Sequence, residues 1–291
     1  MKTPTPFLIL TLMSSMAATV PINVLASVQQ SDLTTLSESS HLSSKPTSPQ
    51  FLALKALSDT DYRWIGEKIY LNECAGLPKY LTHWGKGEAF PSFGIGHFIW
   101  HPKQKSTAPS HFIETFPAML DFVSQRVSAP EWLIARQKQA AISGKLSAPW
   151  TSKSEFDQAW SNTEMAELRT WLLVTQSEQA RFIVKSFIAR WTAELSALSL
   201  ERQKALNHRL NKLMQTKKGS FAVIDYFNFK GIGLNSKEQY QGESWGLASV
   251  LLAMPNLSDA TESERLTHFI DSAKARLSLR TQLAPESRNE Q

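Results

Sequence analysis

The sequence predicts an α+β fold that is mainly helical, with a small β-rich insert packed on a helical body. Two observations predict it: apolar residues recur at helical spacing on both sides of residues 75–102, whereas Gly and Pro interrupt that segment itself. The chain of 291 residues is 42% hydrophobic and 20% charged. This composition is sufficient for one large packed domain and excludes a wholly disordered chain.

The N-terminus predicts a signal peptide over residues 1–26. Lys2 precedes an apolar stretch that Pro21 ends, and the small residue Ala26 suits signal peptidase, so we expect cleavage after it. The stretch is short for a membrane-spanning helix, although an uncleaved N-terminal anchor is the alternative. We therefore expect a periplasmic or secreted protein with no stable membrane span after processing.

Two further segments are expected to lie outside the folded domain. Residues 27–50 are rich in Ser and Thr and poor in large apolar side chains, so they predict a flexible linker. The polar residues 284–291 predict a disordered tail. The folded domain is thus expected over residues 51–283.

Charge and cysteine content argue against several function classes. The formal net charge of +5 is spread along the chain, so no nucleic-acid partner is expected. The single cysteine, Cys74, excludes an intramolecular disulfide, and we interpret it as a small buried filler rather than a nucleophile. On a strand, His97 and His101 would lie about 13 Å apart. Because one zinc ion cannot span that distance, we predict no metal site, and no cofactor is implied.

The first long predicted helix carries a carboxylate on its apolar face. Ser58 is a suitable N-cap, and Asp61 places a favourable charge in the first turn. One face of the helix then holds, at spacings of three or four residues, Tyr62, Ile65, Ile69 and Glu73. Burial and the negative end of the helix dipole would both raise the pKa of Glu73, as a general acid requires. The alternative is a helix-end Glu turned to solvent or paired with a lysine.

After the insert, the remaining segments predict helices. Helical spacing returns over residues 112–123, the clearest stretch is 163–215, and further helices are expected over 245–254 and 266–279. Gly231 ends an apolar segment that precedes it. Two core stripes are predicted: Ala180, Ile183, Phe187, Trp191 and Leu195, then Leu206, Leu210 and Leu213.

Residues 70–97 read YLNECAGLPKYLTHWGKGEAFPSFGIGH. A Glu that ends a helix, a Gly-rich turn, and then Ser-x-Gly-Ile-Gly-His on a strand resembles the active-site region of phage-type lysozymes. The resemblance, which covers this segment alone, implies a lysozyme-like fold with Glu73 as the general acid. It also implies that Ser92 positions water or sugar, and that His97 is a structural histidine paired with a carboxylate.

The identity of a second carboxylate stays open. Lys86 stands where the phage-type pattern holds an Asp, and the nearest carboxylate is Glu88, two residues later. In one interpretation Glu88 takes that role. In the other no second carboxylate acts, as in lytic transglycosylases, where one acid/base Glu suffices. Both imply cleavage of a β-1,4 glycosidic bond through an oxocarbenium-like transition state.

A second segment holds residues typical of a sugar-binding groove. Polar and aromatic residues alternate over 225–247, a mixture that stacks on sugar faces and binds hydroxyls. The predicted substrate-binding residues are Trp84, Asn228, Lys230, Tyr240 and Glu243. Glu243 is also a candidate for the second carboxylate. A buried amphipathic helix followed by a tight turn is the alternative interpretation.

Together these features predict an exported bacterial glycosidase that cleaves β-1,4 linkages in peptidoglycan or a related aminosugar polymer. The expected catalytic residues are Glu73, Glu88 and Ser92, and the expected partner is a polysaccharide; the oligomeric state is left open. One alternative is a non-catalytic cell-wall or glycan-binding protein of the same fold, which Lys86 favours. Another is a helical scaffold for a protein partner, which leaves the Gly-rich insert unexplained.

Overall fold

The computed structural model describes residues 51–103, 112–235, 239, 241–255, 257 and 259–282. The predicted signal peptide, linker and C-terminal tail lie outside these residues. Within them, most of the chain is helical and one small antiparallel sheet follows the second helix. The predicted mainly helical α+β class is therefore confirmed.

The elements follow in chain order. The N-terminal part contains α1 (Leu52–Lys55), α2 (Asp59–Cys74) and a 3₁₀ helix at Pro78–Leu81. The sheet consists of β1 (Thr82–His83), β2 (Ser92–Phe93) and β3 (Phe98–Ile99). The helical body contains α3 (Phe116–Ser124), α4 (Glu131–Ser143), α5 (Lys153–Gln158), a 3₁₀ helix at Ala159–Ser161, α6 (Thr163–Val174), α7 (Gln176–Leu195), α8 (Leu200–Leu213), α9 (Lys217–Lys230), α10 (Leu247–Ala253) and α11 (Glu262–Gln282).

Helix α2 begins and ends at clear sequence signals. Ser58 and Asp61 form a capping box, in which the Asp61 carboxylate accepts from the Ser58 N–H at 3.0 Å and the Ser58 hydroxyl accepts from the Asp61 N–H at 3.2 Å. At the other end, Ala75 and Gly76 adopt left-handed φ values of 50° and 67°. These caps place Glu73 in the last turn of α2.

The sheet is short, and aromatic rings pack around its central strand. Strand β2 lies in the centre and pairs antiparallel with both neighbours. The Phe93 ring lies 5.0 Å from that of Phe116 and 5.7 Å from that of Trp100, which in turn stacks on Phe116 at 4.5 Å. Since each strand has only two residues and forms few backbone hydrogen bonds, the sheet also depends on this aromatic packing.

The Gly-Ile-Gly-His motif forms the turn between β2 and β3, so its predicted placement on a strand was wrong. Gly94 has a φ of 71°, and a Cβ there would collide with the Gln179 amide oxygen. That oxygen accepts a hydrogen bond from the Ile95 N–H at 2.9 Å. Helix α7 therefore holds the turn that presents His97 to α2.

Helix α7 lies at the centre of the helical body, against α2, α3 and α9. The α2–α7 contact is close at Gly66, where a Cβ would lie 2.6 Å from the Gln176 carbonyl oxygen. Both predicted core stripes are buried: Ala180, Ile183, Phe187, Trp191 and Leu195, and Leu206, Leu210 and Leu213. No helix in the described part of the chain is long and apolar enough to cross a membrane.

Candidate functional site

Glu73 lies where the end of α2 meets the β2–β3 turn and helix α9. Its Oε2 is 3.7 Å from His97 Nε2 on the turn, and its side chain is 18% exposed. The Asn228 side chain hydrogen-bonds to it from α9, and the charges of Asp225 and Lys230 on the same helix act on it. We call Glu73, His97, Asp225, Asn228 and Lys230 the Glu73 cluster.

The surroundings of Glu73 favour its protonated form. Burial, and after it the negative charge of Asp225, raises the pKa of the Glu73 carboxyl to about 7. Lys230 and the hydrogen bond from Asn228 act in the opposite direction but do not offset the burial. The carboxyl group of Glu73 therefore exchanges its proton near neutral pH, well above the range of an ordinary Glu.

Asp225 is the second carboxylate of the cluster. Burial raises its pKa to about 6, whereas the Asn72 side chain lowers it by donating to both carboxylate oxygens at 3.1 and 3.2 Å. Asn72 precedes Glu73 on α2, so the last turn of that helix is joined to α9. The sequence patterns did not single out Asp225, although its position three residues before Asn228 places both on one helix face.

Lys230 supplies the positive charge of the cluster. Burial lowers the pKa of its ammonium group to about 8, and nearby Arg280 lowers it too, while the negative charge of Glu73 raises it. The ammonium also lies 3.9 Å from the centroid of the Phe229 ring. Asn228 and Lys230 thus lie beside the predicted general acid, where the sequence placed groove residues.

Ser92 is linked to Glu73 through His97. The Ser92 hydroxyl lies 3.4 Å from His97 Nδ1, and the Nε2 atom of the same ring faces Glu73. Burial and the neighbouring His83 lower the pKa of His97, so its imidazole is neutral at pH 7. The resemblance implied a structural histidine paired with a carboxylate; His97 does lie 3.7 Å from a carboxylate, which is that of the predicted general acid, Glu73.

The two carboxylates proposed from the sequence as partners of Glu73 make other contacts. Glu88 accepts from the Gly85 N–H at 2.9 Å, while its backbone carbonyl accepts from Trp84 Nε1 at 2.8 Å, so it closes its own turn. Glu243 accepts from Arg276 on α11 at 3.0 Å. Asp225 is the carboxylate whose charge raises the pKa of Glu73.

The remaining predicted residues lie in other surroundings. Trp84 is 5% exposed, packs edge-on against Phe156 with ring centroids 5.8 Å apart, and lines an open cleft beside β1. Tyr240 lies outside the described residues. Cys74 is buried, and burial raises the pKa of its thiol to about 12, which suits a packing role.

Among the described residues, no group of three or more His, Cys, Asp or Glu side chains lies close enough together to hold a metal ion.

Comparison of the chain with family models, curated proteins and solved structures found no match. Assignment of a function therefore depends on the chemistry of the Glu73 cluster and on the segment around it.

Proposed function

We propose that the protein is an exported bacterial glycosidase with a lysozyme-like fold that cleaves β-1,4 linkages in peptidoglycan or a related aminosugar polymer. One observation carries the proposal. A carboxyl group at the end of α2, with its pKa raised to about 7, faces a hairpin turn that also orients a hydroxyl and an imidazole. A carboxylic acid that keeps its proton near neutral pH can protonate a glycosidic oxygen.

In the proposed reaction, neutral Glu73 donates its proton to the glycosidic oxygen as the bond between that oxygen and the anomeric carbon breaks. Lys230 and Asn228, which favour the ionised form of Glu73, then stabilise the carboxylate that remains. Asp225, with a pKa of about 6, is mostly ionised at pH 7 and stabilises the positive charge on the sugar. Ser92 orients the attacking water or the sugar.

The paired carboxyl groups predict a narrow pH optimum. Activity needs Glu73 protonated and Asp225 ionised, and their pKa values are about 7 and about 6. We expect kcat/KM to follow a bell-shaped profile with its maximum between these values, the two limbs belonging to the pair as a whole. Initial rates of polymer cleavage between pH 4 and pH 9 measure the profile, and a rate that still rises above pH 8 would contradict it.

The decisive experiment incubates the purified full-length chain with peptidoglycan sacculi and identifies soluble fragments by mass spectrometry. We expect fragments from the wild type and a loss of at least about 100-fold in rate for Glu73→Gln. Glu67→Gln, an exposed position on the same helix, is the matched control and should keep full activity. Reducing ends on the fragments indicate hydrolysis, whereas anhydro ends indicate a lytic transglycosylase.

A second candidate is a non-catalytic cell-wall or glycan-binding protein. It is favoured by Lys86 at the position where the phage-type pattern holds an Asp, and by the contacts of Glu88 and Glu243 with Gly85 and Arg276. In that case no fragments form, and both the wild type and Glu73→Gln pellet with the sacculi.

A further inference from the structure

We propose that an open cleft beside β1 binds a carboxylate group carried by the glycan polymer, as an extension of the candidate active site. The inference rests on the proposed function, because it names a feature of that polymer. The cleft has a volume of about 350 Å³ and is lined by Lys79, Tyr80, Trp84, Lys86, Lys153 and Trp160. We call it the basic cleft.

The basic cleft presents aromatic surface that suits a sugar ring. Tyr80 is 41% exposed, and Trp160, which also lines the cleft, is half-buried. Arg169 fixes Trp160, since its guanidinium lies 4.5 Å from the indole ring and donates to the Trp160 carbonyl at 2.6 Å. A rigid aromatic side chain gains contact with a sugar face at little cost in conformational entropy.

The basic cleft also carries surplus positive charge. Lys153 is paired with Asp157 at 2.7 Å, so these two charges balance. Lys86 is exposed at the tip of the turn between Gly85 and Gly87, and Lys79 is exposed with its ammonium 4.9 Å from the Tyr80 ring. Two lysines are therefore available to a ligand that carries negative charge.

The basic cleft adjoins the Glu73 cluster through the sheet. His83 on β1 lines the cleft, is paired with Ser92 on β2, and lies close enough to His97 to lower its pKa. Ser92 in turn lies 3.4 Å from His97 Nδ1, and His97 Nε2 lies 3.7 Å from Glu73, so a chain of four side chains joins the cleft to the cluster. An extended polymer whose glycosidic bond lies at Glu73 can therefore reach the basic cleft with another part of the same strand.

The ligand chemistry follows from these contacts. A flat sugar face with an attached carboxylate matches aromatic rings flanked by ammonium groups, whereas a neutral aminosugar polymer leaves both lysines without a partner. In peptidoglycan the carboxylate can belong to the acidic substituent of the sugar or to the attached peptide. The two sources are separated by glycan strands with and without peptide.

The test measures binding to the full-length Glu73→Gln variant, so that the ligand is not cleaved. The probes are neutral chitohexaose, peptide-free glycan strands bearing the acidic sugar, and peptide-bearing strands. We expect Lys86→Gln to weaken binding of an acidic probe roughly threefold and Lys79→Gln/Lys86→Gln about tenfold, with chitohexaose binding unchanged. Lys204→Gln, exposed on α8 and outside the cleft, is the matched control and should bind all probes like the parent.

Each outcome decides the inference. Lysine-dependent binding of peptide-free strands assigns the carboxylate to the sugar, and dependence seen only with peptide-bearing strands assigns it to the peptide. Equal binding of all probes by the double variant and its parent, or no binding of an acidic probe, overturns the inference. If lysine-dependent binding occurs but the wild type releases no fragments from sacculi, the proposed catalysis fails while the basic cleft stands.

Discussion

Two polar side chains, Gln179 and Glu73, flank the β2–β3 turn from different helices. The surroundings of Gln179 satisfy its hydrogen bonds, whereas those of Glu73 disfavour its ionised form. Gln179 on α7 is fully buried, and its amide accepts from the Ile95 N–H while donating to the Leu172 carbonyl and the Thr175 hydroxyl. Glu73 on α2 is largely buried, yet its surroundings oppose its charge.

The difference separates a structural polar group from a functional one. A buried neutral amide whose partners are all present stabilises the fold, because it satisfies backbone groups that would otherwise be left without hydrogen bonds. A carboxyl group with a raised pKa destabilises the folded state whenever it ionises. Groups with such a raised pKa are typical of functional sites, where the protein gains a proton donor and loses some stability.

The largest effect that this comparison predicts comes from Gln179→Leu. The substitution keeps the side-chain volume but removes the acceptor for the Ile95 N–H and the donor to the Leu172 carbonyl. We expect the free energy of unfolding to fall by about 3 kcal/mol, measured by urea denaturation. Gln139→Leu, exposed on α4, should change it by less than about 0.5 kcal/mol. Equal effects of the two variants would show that Gln179 is not structural.

A smaller effect of opposite sign is expected for Glu73→Gln. The folded-state pKa of Glu73, about 7, lies above its ordinary value of 4.5, so the folded protein keeps a proton that the unfolded chain loses. Its contribution to stability therefore becomes less favourable as pH rises from about 4.5 to about 7, and it stays unfavourable above that range. Gln has no such titration.

We thus expect Glu73→Gln to be more stable than the wild type at pH 8, by on the order of 2 kcal/mol, and nearly equal to it at pH 4. Thermal unfolding at the two pH values measures the difference. A variant that is destabilised at pH 8 would mean that Glu73 is a structural group like Gln179.

The smallest effect concerns the pKa of Glu73 within the cluster. Asp225→Asn removes a negative charge that raises this pKa, and Asn228→Ala removes a hydrogen bond that lowers it. We expect the first variant to move the pKa of Glu73 from about 7 towards its ordinary value and the second to move it upwards. Titration of the carboxyl carbon by NMR measures both, and Asp121→Asn, exposed on α3, should leave it unchanged.

Local patterns predicted the elements that depend on local interactions. The N-cap at Ser58 and the buried stripe on α7 were predicted, because each depends on residues three or four positions apart on one helix. The start of α3 was predicted too early: it begins at Phe116, and Phe112 before it is 58% exposed. Pro117 fits only the first turn of a helix, which explains the later start.

The sequence by itself determined the helical class of this protein, the burial of its core stripes, and the place of Glu73 at the end of α2. Only the tertiary structure decided what surrounds that carboxyl group. Asp225 lies 152 positions after it and Gln179 lies 84 positions after Ile95, so no short spacing joins them. A pKa and a hydrogen bond depend on distance in space and on exclusion of water, and packing of α2, α7 and α9 around the turn sets both.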